Sequence, residues 1–413
     1  MRIATLSIGD EIVFGEIVDT NAPWISSRLY DMGLKVLSHL AVRDVGQEIA
    51  DVICSLAGSN DIVIATGGLG PTTDDLTARA AAKASDRQLV LNETALEHIR
   101  EFMARRGRGV TPANEKQALL PAKAGLIPNP VGTACGFRFF LKGCDFFFLP
   151  GVPSEMKRMM DESVIPILLE RRPPGKVIRV KVLRLFGLPE AEVDTLLQGI
   201  TTHHSPVTIA YQVVFPEIRV KLRAEGDNEE ETCRALELVY RKAQEILKAH
   251  LFAEDEETMD SVVAALFREK GVTLSIAESC TGGYLAKRIT DIPGSSAYFL
   301  EGAVTYSNAA KIRILEVSPR LLEEKGAVSP EVAMAMAKGM RKLSGSDIAL
   351  AITGIAGPEG GSPEKPAGTV FIALATASGC RSKMHRFSWD RDGVRTMTVF
   401  TALNRLRRHL LTL

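Results

Sequence analysis

The stretch Ile62-Val63-Ile64-Ala65-Thr66-Gly67-Gly68-Leu69-Gly70-Pro71-Thr72-Thr73-Asp74-Asp75 decides the fold. A short apolar run reads as a buried strand, and it runs straight into glycines. A strand that ends this way exposes backbone N–H groups with no side chain in front of them, a device by which α/β proteins hold phosphates and other anions. The chain repeats the device at Ile348-Ala349-Leu350-Ala351-Ile352-Thr353-Gly354-Ile355-Ala356-Gly357-Pro358-Glu359-Gly360-Gly361. Two such loops in different settings predict two sites in two domains.

Outward from the first loop, strand and helix patterns alternate. Strand Ile3–Ile8 leads to a helix near Ala22–Met32 with Gly33 as its stop. Strand Lys35–Val42, a helix near Gln47–Ala57 and strand Asp61–Thr66 follow, and Asp74-Asp75 reads as the start of the next helix. This order predicts a mostly parallel sheet covered by helices on both faces. Gly136–Leu149 reads as a hairpin turning at Gly143, and Pro153 opens a helix towards Arg171. Arg171-Arg172-Pro173-Pro174-Gly175 reads as a boundary, and a small α+β module fills the next stretch. The acidic run Glu254-Asp255-Glu256-Glu257 reads as a second linker, after which α/β alternation resumes to the end. The expected domains are 1–172, 173–253 and 258–413, consistent with a 413-residue chain being too long for one core.

Bulk composition narrows the function classes. Lys+Arg and Asp+Glu both total 50, and a general nucleic-acid binder normally carries a basic excess. None of the six cysteines forms a CxxC pair, which argues against structural zinc. Apolar runs such as Phe146-Phe147-Phe148-Leu149 are too short for a bilayer. No secretory leader is evident, so a cytoplasmic protein with small-molecule ligands is expected, with neither nucleic-acid nor membrane partners.

The N-terminal site lacks GxxxxGK[ST], and no GxGxxG follows the first strand. It has instead Gly9-Asp10-Glu11, Asp19-Thr20-Asn21 and the Gly67–Thr72 loop beside Asp74 and Asp75. Glycine backbone can hold a diphosphate, and carboxylates can hold a hard divalent cation beside it. Glu11, Asp19 and Asp75 are the metal candidates; Gly67, Gly68, Gly70 and Thr72 are the ligand-holding candidates.

The C-terminal site centres on Ala277-Glu278-Ser279-Cys280-Thr281-Gly282-Gly283, where three nucleophilic side chains follow a strand and precede a helix. The helix N-terminus is expected to supply N–H groups for an oxyanion. A serine needs a base, and neither His385 nor His409 lies in a glycine-rich turn. Lys311 follows Thr305-Tyr306-Ser307-Asn308, and partial burial would suit it to the role. Gly282, Gly283, Ser295 and Asn308 are candidate substrate contacts, and Arg391 and Arg395 candidates for clamping a phosphate.

These stretches resemble the CinA family (competence/damage-inducible protein A). From Ile3 to about Met160 the likeness also takes in Thr111-Pro112-Ala113-Asn114-Glu115-Lys116-Gln117-Ala118, Asn129-Pro130-Val131-Gly132-Thr133-Ala134 and Leu149-Pro150-Gly151-Val152-Pro153-Ser154-Glu155-Met156. The resemblance implies a molybdopterin-binding-like fold and a metal-dependent ADP-ribose pyrophosphatase, with Asn114 and Lys116 added as ligand contacts. From Val262 to Arg395 it implies a nicotinamide-mononucleotide (NMN) deamidase that requires no metal or other cofactor. Ser279 is then the nucleophile and Lys311 the base, with Tyr306 and Thr281 as helpers and Thr353, Gly354 and Arg395 holding substrate. Fold relatives offer pterin binding or nucleotidyl transfer as the rival N-terminal activity, and an adaptor in DNA uptake or recombination as a non-catalytic reading. The middle module carries little of the resemblance and reads as a spacer or dimerisation element, the chain being expected to form a homodimer.

Overall fold

The computed structural model describes residues 1–171, 177–202 and 205–413. Most of the expected boundary at Arg172–Gly175, and with it the limit at 172/173, lies outside the described residues. Two compact units emerge, residues 1–180 with 223–235 and residues 181–222 with 236–413.

The first unit is built on β1 (Ile3–Ile8), β2 (Val36–Val42), β3 (Ile62–Thr66), β4 (Leu89–Leu91), β5 (Leu119–Pro121), β6 (Gly125–Ile127), β7 (Gly136–Leu141) and β8 (Cys144–Leu149). Its six-stranded sheet has the order β2-β1-β3-β8-β7-β6. The pairs β1/β2, β1/β3 and β3/β8 are parallel, and the β7/β8 hairpin is antiparallel. Strand alternation divides the core. Val63, Ala65, Phe146 and Phe148 face one cluster with Ile49 and Ile53, while Ile62, Ile64, Phe147 and Leu149 face another with Ile25, Leu29 and Met156. Helices Gly46–Ser59 and Asn21–Asp31 therefore cover opposite faces. Each fully buried Leu, Ile or Phe contributes about 1.5–3 kcal/mol. The short β4–β6 strands escaped the sequence reading, because three residues are too few to establish an alternation.

The second unit joins most of the middle segment to the C-terminal α/β domain. A smaller sheet, most of it within this unit, comprises β9 (Val177–Leu185), β10 (Val207–Val214), β11 (Glu217–Gly226) and β12 (Leu251–Glu254), in the order β10-β11-β9-β12. The acidic run is thus not a plain linker. Glu254 ends β12, paired antiparallel with β9, and Asp255 accepts from Lys181 Nζ at 2.9 Å and Val182 N at 3.0 Å. The larger sheet comprises β13 (Leu274–Glu278), β14 (Phe299–Val304), β15 (Ile348–Gly354), β16 (Thr369–Thr376) and β17 (Gly379–Arg386), ordered β14-β13-β15-β16-β17. One face carries Leu274, Ile276, Leu350, Ile352, Val370 and Ile372 against helices Met259–Lys270 and Arg391–Leu410. The other is rich in alanine (Ala277, Ala349, Ala351, Ala373, Ala375) beneath helix Pro330–Ser344. Ser318 and Ser329 each cap a helix with proline next in line, the pattern in which a serine side chain accepts from the first turn and proline takes the first helical position.

Register aligns the strand ends that matter. Ser7 pairs with Thr66, and Thr66 with Leu149, so the chain leaves β1, β3 and β8 at one edge. Glu278 pairs with Val304 and Ala277 with Ala351, so Ser279, Thr305 and Gly354 gather at the corresponding edge of the other sheet. Open α/β sheets bind ligands along this edge. Among the described residues no helix is long and apolar enough to cross a membrane.

Candidate functional sites

At the N-terminal edge a cavity of about 440 Å³ opens over the ends of β1, β3 and β8. Six carboxylates line it (Glu11, Asp19, Asp44, Asp74, Asp75 and Glu155), and among the described residues no Lys or Arg does. Burial, with the negative charges of Glu11, Asp10 and Asp74, pushes the Asp44 carboxyl up. A second cavity of about 330 Å³ shares Gly68, Leu69, Gly70, Asp75 and Gln117 with the first, and adds Arg79, Lys116 and an apolar wall. The cleft thus has an acidic lobe and a lobe with two cations.

The glycines have structural reasons of their own. Gly67 N donates to Leu149 O at 3.0 Å, so that amide is not available to a ligand, and a Cβ there would overlap the Ile8 carbonyl. Gly68 has φ +64 and packs on Thr77, whose hydroxyl donates to Gly67 O at 2.9 Å. Asp75 does not open the next helix, which runs from Thr77 to Ala84. Its Oδ2 instead accepts from Thr72 N at 2.8 Å and Thr72 Oγ1 at 2.6 Å, closing the loop on itself. Lys116 Nζ donates to Thr72 O. Asn114 lies outside both cavities; it completes a capping box with Thr111, as spacing alone suggests.

The expected metal set does not assemble as a cage. Asp19 Oδ1 accepts from Asn21 N at 2.9 Å and Ala22 N at 3.1 Å, and Oδ2 accepts from Ser7 Oγ at 2.5 Å. That carboxylate caps helix Asn21–Asp31. Among the described residues no three His, Cys, Asp or Glu side chains are gathered to hold a cation. Glu11, Asp19 and Asp75 therefore share a cavity wall without forming a three-ligand centre.

At the C-terminal edge the expected pair converges. Lys311, 1% exposed, places Nζ 3.0 Å from Ser279 Oγ, 2.8 Å from Thr305 O and 3.1 Å from Tyr306 O. Burial lowers the amine's pKa. Nζ donates to the Ser279 hydroxyl and to both carbonyls; once it has lost a proton, an amine that keeps its two bonds to the carbonyls turns its lone pair to the serine hydroxyl. The neighbouring Cys280 thiol is pushed up to about 12 by burial, so it stays protonated near neutrality. Ser279, Tyr306, Lys311, Thr353 and Gly354 line a cavity of about 280 Å³ with Ala327, Glu359 and Arg391. Arg391 donates from Nη1 to Gly357 O at 2.7 Å and from Nη2 to Tyr306 Oη at 3.4 Å.

The remaining candidates stand outside this lining. Thr281 is fully buried and its hydroxyl has no partner among the described residues, while its carbonyl accepts from Arg395 Nη2 at 3.0 Å. Gly282 and Gly283 take φ +60 and +91 to make the turn. Ser295 sits in a one-turn 3₁₀ helix and Asn308 begins helix Asn308–Leu315 on the exposed side. Thr353, within the lining, donates its hydroxyl to Ala327 O at 2.8 Å and so joins two of its walls. The oxyanion expectation also needs correction. Glu278, 1% exposed, accepts from Gly283 N at 3.2 Å, Leu285 N at 3.1 Å and Ala286 N at 2.9 Å, which removes those N–H groups from any substrate. The sequence reading missed this cap; a glutamate closing an apolar strand just before a helix was its signal.

A CinA-like protein of Geotalea uraniireducens is 58% identical over 413 residues, covering 100% of this chain and 98% of that one. The chain belongs to the CinA family. A CinA-like protein of Geobacter sulfurreducens is 57% identical over 412 residues, 100% of both chains. Family models match in series: "Probable molybdopterin binding domain" at residues 4–170, "Damage-inducible protein CinA KH domain" at 180–253 and "CinA C-terminal domain" at 256–410. CinA likeness thus runs through the middle segment as well, where the sequence alone gave little sign of it. Among solved structures, the competence/damage inducible protein CihA of Agrobacterium tumefaciens is 40% identical, covering 37% of this chain and 95% of that one at TM-score 0.36.

Proposed function

We propose that the C-terminal cleft of this CinA-family protein hydrolyses the carboxamide of NMN to the carboxylate, giving nicotinate mononucleotide and ammonia. The observation that carries the reading is the 3.0 Å approach of Lys311 Nζ to Ser279 Oγ in a buried setting. Lys311 takes the hydroxyl proton as Oγ attacks the amide carbon, and returns it to the departing nitrogen as the C–N bond breaks. Water then cleaves the ester, with Lys311 again taking and returning a proton. Base assistance of this kind supplies about 10²–10⁴-fold. We assign the phosphate to Arg391, which lines the cavity. An ammonia-release assay on the full chain, wild type against Ser279→Ala, tests the reading.

For the N-terminal cleft the two-lobed cavity favours a nucleotide diphosphate, and ADP-ribose hydrolysis to AMP and ribose 5-phosphate is the reaction we infer. Divalent-metal dependence belongs to that inference, but the carboxylates present do not define a centre, and no step is assigned to a cation. AMP formation from ADP-ribose with added Mg²⁺ tests it. Failure there leaves pterin binding or nucleotidyl transfer, and salt-dependent DNA binding would favour the adaptor reading.

A further inference from the structure

The turn between β10 and β11 carries Phe215, whose ring centroid lies 4.6 Å from that of Trp389 with the planes tilted by 58°. Both rings are substantially exposed, so the contact is not an incidental product of core burial. The hairpin that presents Phe215 is pinned beside its turn. Glu217 is buried and accepts from Arg184 Nη1 at 3.1 Å and Arg219 Nε at 2.5 Å, while Arg184 Nε donates to Asp255 O at 2.9 Å. The same small sheet is held a second time, where Phe186 and Phe252 meet Phe400 of the last helix at 4.8 and 5.4 Å between centroids. A spacer would not be fixed at two places.

On the other side of the contact, Trp389 leads directly into the cleft. Asp390 caps helix Arg391–Leu410 by accepting from Gly393 N at 2.8 Å, and a Cβ on Gly393 would lie 2.7 Å from the Trp389 Cβ. Trp389 therefore sits on the helix start that sets Arg391, the first helical residue and part of the cleft wall. Arg391 uses one Nη on Gly357 O and the other on Tyr306 Oη, an arrangement in which a shift of the helix start misplaces both.

We propose that Phe215 is a positioning residue for the C-terminal site. By holding Trp389 it fixes Arg391 where it meets the substrate's phosphate, so the middle module contributes to phosphate recognition. This rests on the NMN reading for its substrate, but not for its test. An aromatic pair of this kind is worth about 2- to 10-fold in an equilibrium. In the full chain, Phe215→Ala is expected to raise KM for NMN about 3-fold or more with kcat within about 2-fold, and to leave turnover of nicotinamide riboside, which lacks the phosphate, unchanged. Phe215→Tyr should restore the wild-type KM, and Phe215→Ala should add nothing in an Arg391→Ala background. Equal losses with the riboside, additive effects with Arg391→Ala, or an unchanged KM would overturn the proposal. A readout without turnover separates it from the NMN reading. With Trp24→Phe as background, Trp389 is the one remaining tryptophan, and its fluorescence reports titration with inorganic phosphate. Phe215→Ala should weaken that binding about 3-fold or more; equal binding by the variant, or no phosphate response in the parent, overturns it even if NMN is not a substrate.

Discussion

Lys311 Nζ donates to the backbone carbonyl of Thr305 at 2.8 Å, and Thr305 N in turn donates to Glu278 O at 2.8 Å, so the amine is tied to the strand end from which Ser279 emerges. Buried this way, the amine has its pKa lowered from the ordinary lysine value of 10.5. Activity should therefore rise with pH through the lowered value, as the neutral base forms. Lys311→Met should abolish that limb with the activity. Between the lowered value and 10.5 the unfolded chain binds the extra proton, so stability should rise with pH in that window and diminish as pH falls through it. Denaturant unfolding at stepped pH checks this: the slope there should be smaller in Lys311→Met.

Two adjacent side chains with nucleophilic atoms make opposite predictions. Ser279→Ala should lower ammonia release by at least about 10³-fold, because the attacking oxygen is gone. Cys280→Ala should keep most activity, since the Cys280 thiol is buried and pushed up to about 12. Loss of the sulfur also leaves a small cavity, expected to cost about 1–2 kcal/mol in thermal or urea unfolding. Rates inverted between the two variants would make this a thiol enzyme.

Glu278 joins the turn to the helix behind it. Removing its carboxylate in Glu278→Ala leaves the Gly283, Leu285 and Ala286 amides without their acceptor. The Leu285 amide is buried and the other two partly so; a buried unsatisfied donor costs about 1–3 kcal/mol, so a loss of about 1–3 kcal/mol is expected in urea unfolding. Glu278→Gln keeps the shape and one acceptor oxygen, and should lose less. If both variants unfold like the wild type, the carboxylate does not hold this turn.

The parts legible in the sequence were those whose cause is local. Apolar runs such as Ile62–Thr66 and Ile348–Thr353 are strands because nothing else buries so many branched side chains. Ser318 and Ser329 cap because a serine before proline has few better uses. What stayed hidden depends on partners distant in the chain. Asp19 looks like a metal ligand until Ser7 of β1 is seen to engage it. Glu254 and Asp255 look like linker until β9 supplies a neighbour. The Lys311–Ser279 approach spans 32 residues; two strand-to-helix turns and the want of a well-placed histidine suggested the pair, and the family resemblance implied its roles.

Asp19 and Glu11 separate the two uses a carboxylate can have at the N-terminal cleft. Asp19 has Oδ1 on the start of helix Asn21–Asp31 and Oδ2 on the Ser7 hydroxyl of β1, while Glu11 faces the acidic lobe beside Asp44, Asp74 and Asp75. Asp19→Ala should therefore act on stability first, costing about 1–3 kcal/mol through three lost hydrogen bonds. Glu11→Gln should leave stability nearly unchanged. It removes one negative charge from a lobe that already resists another anion, so it should alter how much Mg²⁺ AMP formation from ADP-ribose requires. The measurement is AMP release against Mg²⁺ concentration, with ammonia release from NMN followed in the same samples. A chelator should stop the first and spare the second, since in the proposed amide reaction the base is Lys311 and not a metal-bound water. A chain whose ammonia release falls with chelator as steeply as its AMP release would contradict that division of labour.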